Sequence, residues 1–175
     1  MPEKIISQSR LKELLNYDPS TGDFTWLVRT SNRIKVGDVA GSIAGNGYRY
    51  IMIDGSNYLS HRLVFLYMNG KVPVNCVDHK FGDRSDNRWD FIRQATNKQN
   101  SRNQKIGSRN KSGVIGVFLD ENKNRWLASI WVNGKSKHIG CFIDFDDAVS
   151  ARKLGELEHG YDKNHGRDCH VSHQD

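Results

Sequence analysis

The hydrophobic pattern of this chain stops once and then starts again. Residues 104–113, QKIGSRNKSG, are polar, basic and glycine-containing, which is the composition of a linker. Patterned sequence lies on both sides of it. A single body of 175 residues could bury about two-thirds of its unfolded surface, whereas two small modules would each bury less. The break therefore predicts two modules, and the mixture of helix and strand signals in each predicts an α+β protein.

Before the break, residues 7–16 (SQSRLKELLN) read as a short amphipathic helix, with Ser7 or Ser9 as cap and Leu11, Leu14 and Leu15 on its apolar side. Asp18-Pro19 and Thr21-Gly22-Asp23 are turn chemistry, and Phe24, Trp26 and Val28 alternate inward behind them. Gly45-Asn46-Gly47 and Asp54-Gly55-Ser56-Asn57 each divide alternating runs, the pattern of two tight hairpins. HRLVFLYMNG (61–70) follows as a helix closed by Gly70, with Leu63, Leu66 and Tyr67 on one face. VPVNCVDH (72–79) is a short strand, KFGDRSDNR (80–88) a polar loop, and WDFIRQATNKQNSRN (89–103) a helix at least through Gln99.

After the break, GVIGVFLD, RWLASIWV and KSKHIGCFI read as three strands, the last two joined by Asn133-Gly134. Asp144 to His159 reads as a helix, with Phe145, Ala148, Val149, Ala151, Leu154 and Leu157 as its apolar side. Charge is concentrated here. Lys98 to Lys137 holds nine cations against Asp120 and Glu121, a net +7 in a chain whose total is +6. The rest is nearly neutral. Such a local excess suits a polyanion whose phosphates are neutralised by Lys and Arg.

The strand ending in Asp78-His79 and the loop behind it carry chemistry. An imidazole titrates near neutral pH, so His79 can act as a base on water. Asp78 is a hard oxygen donor for a divalent cation, and Asn100 can add an amide oxygen from beyond the loop. Alternation sends adjacent strand side chains to opposite faces, so a bend near Lys80 is needed if both residues are to face one metal.

The surrounding string, residues 60–103, resembles the HNH endonucleases of bacteriophages and mobile introns. It is carried by His61-Arg62-Leu63, Asp78-His79, Gly82-Asp83 with Asn87-Arg88, Phe91-Ile92-Arg93 and Asn100. The resemblance implies a ββα-metal (His-Me finger) nuclease module that hydrolyses phosphodiester bonds in double-stranded DNA. It implies His79 as general base, Asp78 and Asn100 as ligands of Mg2+ or Mn2+, and Arg93 as a phosphate contact. His61 reads as structural at the helix start. Two positions depart from the family. Phe81 stands before Gly82 where a polar residue is common. Phe91 replaces the asparagine that resembles the orienting residue for the base, and phenylalanine has no hydrogen-bonding group. Three readings follow: a weakened nuclease, an inactive nuclease that still binds DNA, or Asn87 supplying the missing amide.

Residues 112–160 resemble the Apetala-2/ethylene-response-factor type DNA-binding domain. The resemblance rests on Ser112-Gly113-Val114, Arg125-Trp126 with Ala128 and Ile130, Ile139-Gly140-Cys141-Phe142, and Asp147-Ala148. It implies a small three-stranded antiparallel sheet packed on one helix and laid in the major groove. Arg125, Trp126, Lys135 and Lys137 are the implied DNA contacts, and the parity of Trp131 stays open.

The expected organisation is thus an N-terminal helix and β-hairpin region (1–56), the HNH module (57–103), a linker (104–111), the DNA-gripping module (112–160) and a flexible tail (161–175). The role of residues 1–50 is open between extending the DNA surface and completing the nuclease core. Cys76, Cys141 and Cys169 are odd in number and form no C-x-x-C pair, which argues against a disulfide framework and for a reducing compartment. His159, His165, Cys169, His170 and His173 fit no standard zinc spacing. No signal peptide or membrane span is expected, and no obligate protein partner is evident. The expected location is cytoplasmic, in a bacterial host cell if the chain is phage-encoded.

Overall fold

The structure, a computed structural model, describes residues 6–167. The chain divides into two compact units between Asn97 and Lys98. Both mix short helices with small antiparallel sheets, so the protein is α+β.

The first unit opens with α1 (Gln8–Leu14), capped by the Ser7 hydroxyl, which accepts from the Arg10 amide. Leu15 leaves the helix and begins β1 (Leu15–Tyr17), paired with β2 (Phe24–Trp26). The inward alternation ends at Trp26, and Val28 is exposed. A second sheet joins β3 (Ser42–Ile43), β4 (Arg49–Ile53) and β5 (Ser56–Leu59). Asp54 and Gly55 both take positive φ at the β4–β5 turn, as a two-residue hairpin requires. Then α2 (Ser60–Asn69) closes on Gly70 at φ 73°. Leu11, Phe24, Ile51, Leu63 and Val64 are buried in one core with Val77 and Ile92 from the last two strands. Residues before 50 therefore complete this core rather than only extending a surface.

β6 (Cys76–His79) pairs antiparallel with β7 (Ile92–Ala95), and α3 (Asn97–Ser101) follows, in ββα order. This corrects the single helix expected over 89–103. Only one 3-10 turn, Trp89–Phe91, precedes the strand. The strand wins because β6 needs a partner for its backbone groups. The ladder also buries Ile92 and Ala95 opposite His79 and Cys76. Tertiary pairing overrides local helical preference here.

In the second unit, β8 (Val117–Asp120), β9 (Arg125–Val132) and β10 (Lys135–Phe142) form a sheet in the order β10-β9-β8. Asn133 and Gly134 form the expected tight turn with positive φ at both positions. One face of the sheet is covered by α4 (Phe145–Glu158). The buried side of α4 is Ala148, Arg152 and Gly155, while Leu154 and Leu157 are exposed, contrary to the expected apolar stripe. The cause is Arg152. Its Nη1 donates to the Ser129 carbonyl at 2.7 Å and its Nε to Glu156 at 2.9 Å, so a buried cation is satisfied where leucine was expected. Residues 104–106, within the stretch read as a linker, exchange backbone hydrogen bonds with Gly166 and Arg167. Cys169, His170 and His173 lie outside the described residues.

Candidate active site

His79 ends β6 and is buried, and the groups around its ring come from three other segments. Its Nε2 lies 3.3 Å from Asn87 Oδ1, at the long end of a hydrogen bond. The His61 ring, at the start of α2, meets it edge-on with centroids 5.2 Å apart. Tyr48, from the turn before β4, contacts both imidazoles, at 5.1 Å and 5.9 Å. Burial lowers the pKa of His79, against the opposing pull of Asn87 and of Asp78, Asp83 and Asp86. Burial therefore favours the neutral imidazole. Donation of Nε2–H to the Asn87 oxygen would leave the basic lone pair on Nδ1.

Asn87 is fixed by the N-terminal segment. Its backbone carbonyl accepts the buried Tyr17 hydroxyl at 2.7 Å. Burial holds that phenol protonated, foremost among several causes, so it remains a donor. Trp89 N donates to the Pro19 carbonyl at 3.2 Å. Gly22, at φ 79°, lies so close that a Cβ there would sit 2.4 Å from Arg88 N and 2.6 Å from the Asn87 carbonyl carbon. The Asn87 side chain donates through Nδ2 to the Ser85 carbonyl, which leaves Oδ1 turned to His79.

Asp78 is also buried, and its cross-strand partner is Arg93. Arg93 sends Nη2 (2.8 Å) and Nε (3.0 Å) to Asp78 Oδ2. The strand does not bend before Lys80, because the ladder continues through His79–Ile92 and Lys80 N donates to the Phe91 carbonyl. Asp78 and His79 thus keep different neighbours. The two departures noted in sequence, Phe81 and Phe91, pack on each other edge to face at 5.0 Å, and the Arg88 guanidinium lies 3.8 Å from the Phe91 centroid. Position 91 has become a packing site. Sequence reading raised Asn87 as one of three alternatives and missed Tyr48 altogether. The Gly45-Asn46-Gly47 turn that delivers Tyr48 was visible, but its contact with His79 is tertiary.

Residues 58–102 match the family model of the HNH endonucleases. That segment runs from the end of β5 to α3 and includes His61, Asp78, His79, Asn87, Arg93 and Asn100. No curated protein matches the chain. A solved structure described as "DNA binding and cleavage by the HNH homing endonuclease I-HmuI" aligns with 91% of this chain and 94% of its own, at 20% identity and a TM-score of 0.40.

Within the HNH segment the donor set is sparse and hard. Among the described residues no three His, Cys, Asp or Glu side chains gather into a metal cluster. Asp78 offers carboxylate oxygen, and Asn100 is exposed on α3, in the second unit. A lone carboxylate such as Asp78 fits a cation like Mg2+, which uses one or two protein oxygens and takes the rest from water and phosphate.

Outside the HNH segment, the sheet register sorts the other expected contacts. Trp126, expected as a DNA contact, is half-buried and packs on Phe145 of α4 with centroids 4.7 Å apart. Arg125, Leu127, Ser129 and Trp131 alternate onto the opposite, open face of β9, where Trp131 is 63% exposed. Lys135 and Lys137 are exposed, but they pair with Val132 and Ile130 and so share the α4 side of the sheet. Among the described residues no helix is long and apolar enough to cross a membrane.

Proposed function

We propose that this protein is a divalent-metal-dependent endonuclease of double-stranded DNA whose general base is His79, oriented by Asn87. The observation that carries the reading is the buried imidazole with Nε2 3.3 Å from the Asn87 amide oxygen. Nδ1 of His79 takes a proton from water as that oxygen attacks phosphorus, and the P–O bond to the leaving sugar oxygen breaks. Asn87 does through its side chain what the family asparagine at position 91 resembles doing, while Phe91 packs the loop. A cation, Mg2+ or Mn2+, held through Asp78 would offset charge on the scissile phosphate. Arg93, which pairs with Asp78, is the arginine proposed to contact the phosphate. Residues 112–160 act as an Apetala-2/ethylene-response-factor type grip on DNA, with Arg125 and Trp131 on the open face and Lys135 and Lys137 adding charge from the hairpin end of β10.

A second reading, a DNA-binding protein that no longer cuts, is favoured by one observation: the Asp78 carboxylate is engaged by Arg93. Supercoiled plasmid with Mg2+ or Mn2+ separates the two. The nuclease reading predicts nicking that EDTA stops and His79→Ala abolishes. Binding without nicking, or nicking that survives His79→Ala, would sink it.

A further inference from the structure

The HNH segment carries three arginines in the loop and strand around His79, and two of them are committed. Arg88 is held by Asp86 through Nε and Nη2, and Arg93 by Asp78. Arg84 has no carboxylate partner among the described residues. It is exposed, and Nη1 donates to the Asn46 carbonyl at 3.1 Å. Its guanidinium lies over the Tyr48 ring, 5.0 Å from the centroid. That same ring touches His61 and His79.

The arrangement has a physical sense. A guanidinium on an aromatic face is held in place without having its charge neutralised, unlike one in a carboxylate pair. Its remaining N–H donors keep the fork geometry that matches phosphate oxygens. The aspartates of the loop are engaged elsewhere: Asp83 accepts from the Ser85 amide and hydroxyl, and Asp86 is taken by Arg88. The Arg84–Asn46 bond ties the hairpin turn to the loop, and a Cβ at Gly47 would lie 3.5 Å from the Arg84 Cβ. The result is one fixed guanidinium outside any ion pair, a single ring away from the base.

We propose that Arg84 grips a DNA backbone phosphate beside the bond that His79 attacks, using Tyr48 as its platform. This rests on the nuclease reading above for its geometry but not for its test. The test measures binding of a short random-sequence duplex in EDTA as salt is raised, with wild type, Arg84→Ala and Arg84→Lys, and records melting temperature for each. Each neutralised phosphate contributes about 0.9 to the slope of log K against log salt. Arg84→Ala is expected to bind more weakly, with a slope shallower by about 0.9, while Arg84→Lys keeps the wild-type slope because the charge is retained. An unchanged slope in Arg84→Ala overturns the proposal. A lowered melting temperature with an unchanged slope overturns it too, and leaves Arg84 a structural tie to Asn46. Plasmid nicking judges the other reading separately. A shallower slope in a protein that does not nick keeps the Arg84 contact and removes the nuclease. An unchanged slope in a protein that nicks does the reverse.

Discussion

A histidine serves as a base only if its ring is neutral and held in one orientation, and His79 has both conditions from named neighbours. Burial depresses its pKa, Asn87 takes one nitrogen, and the rings of His61 and Tyr48 pack against it. His61 carries a cost. Its Nδ1 is buried without a hydrogen-bond partner, and burial, foremost, drops its pKa to about 3. An exposed imidazole titrates near 6.5. Between those values the unfolded chain takes up a proton that the folded chain refuses, so stability falls as pH drops below about 6.5. His61 alone sets a slope of up to about 1.4 kcal/mol per pH unit in that window. Urea midpoints from about pH 4 to 7 should therefore decline less steeply toward acid in His61→Leu than in wild type. Parallel declines would show that His61 is not buried as described.

At the scale of elements, the N-terminal segment is part of the candidate site because it holds the loop that contacts His79. Gly22 is the sharpest point of that contact, since any side chain there meets the Asn87–Arg88 backbone and a strained positive φ together. Gly22→Ala is expected to lose about 1–3 kcal/mol of stability. At temperatures where the variant stays folded it should also nick more slowly, by displacing Asn87. Wild-type stability in chemical denaturation would contradict the contact. In the second unit the register separates two tryptophans. Trp126→Ala should lose about 2–3 kcal/mol from its packing on Phe145. Trp131→Ala, on the open face, should leave the melting temperature within about a degree or two and weaken DNA binding. The opposite assignment of effects would mean that the sheet faces are exchanged.

The same elements show what was legible in advance. Ser7 as cap, Gly70 as helix stop and Asn133-Gly134 as hairpin turn are local signals, and each acts where it stands in the chain. β7 was not legible, because Ile92 and Ala95 become a strand only by pairing with β6. Leu154 and Leu157 misled the reading of α4 because Arg152, an unlikely core residue by type, finds Ser129, Glu156 and His165 around it. In the site, Asp78-His79 announced itself through motif. Tyr17, Gly22 and Tyr48 did not, because their roles exist only once distant segments share one core.

For the whole molecule, charge and chemistry are divided between two units. The candidate site around His79 lies in the unit ending at Asn97, and the whole +7 segment lies in the unit beginning at Lys98. A protein that cuts DNA needs both, since a base without a grip meets few phosphates and a grip without a base leaves them intact. The account turns on whether Asn87 orients His79 although Phe91 occupies the usual asparagine position. The direct measurement is the single-turnover nicking rate of Asn87→Ala on supercoiled plasmid in saturating Mg2+, with folding checked by circular dichroism. The account predicts a rate about 10²-fold below wild type in a protein that remains folded and still binds DNA. A folded Asn87→Ala protein that nicks at the wild-type rate would contradict it.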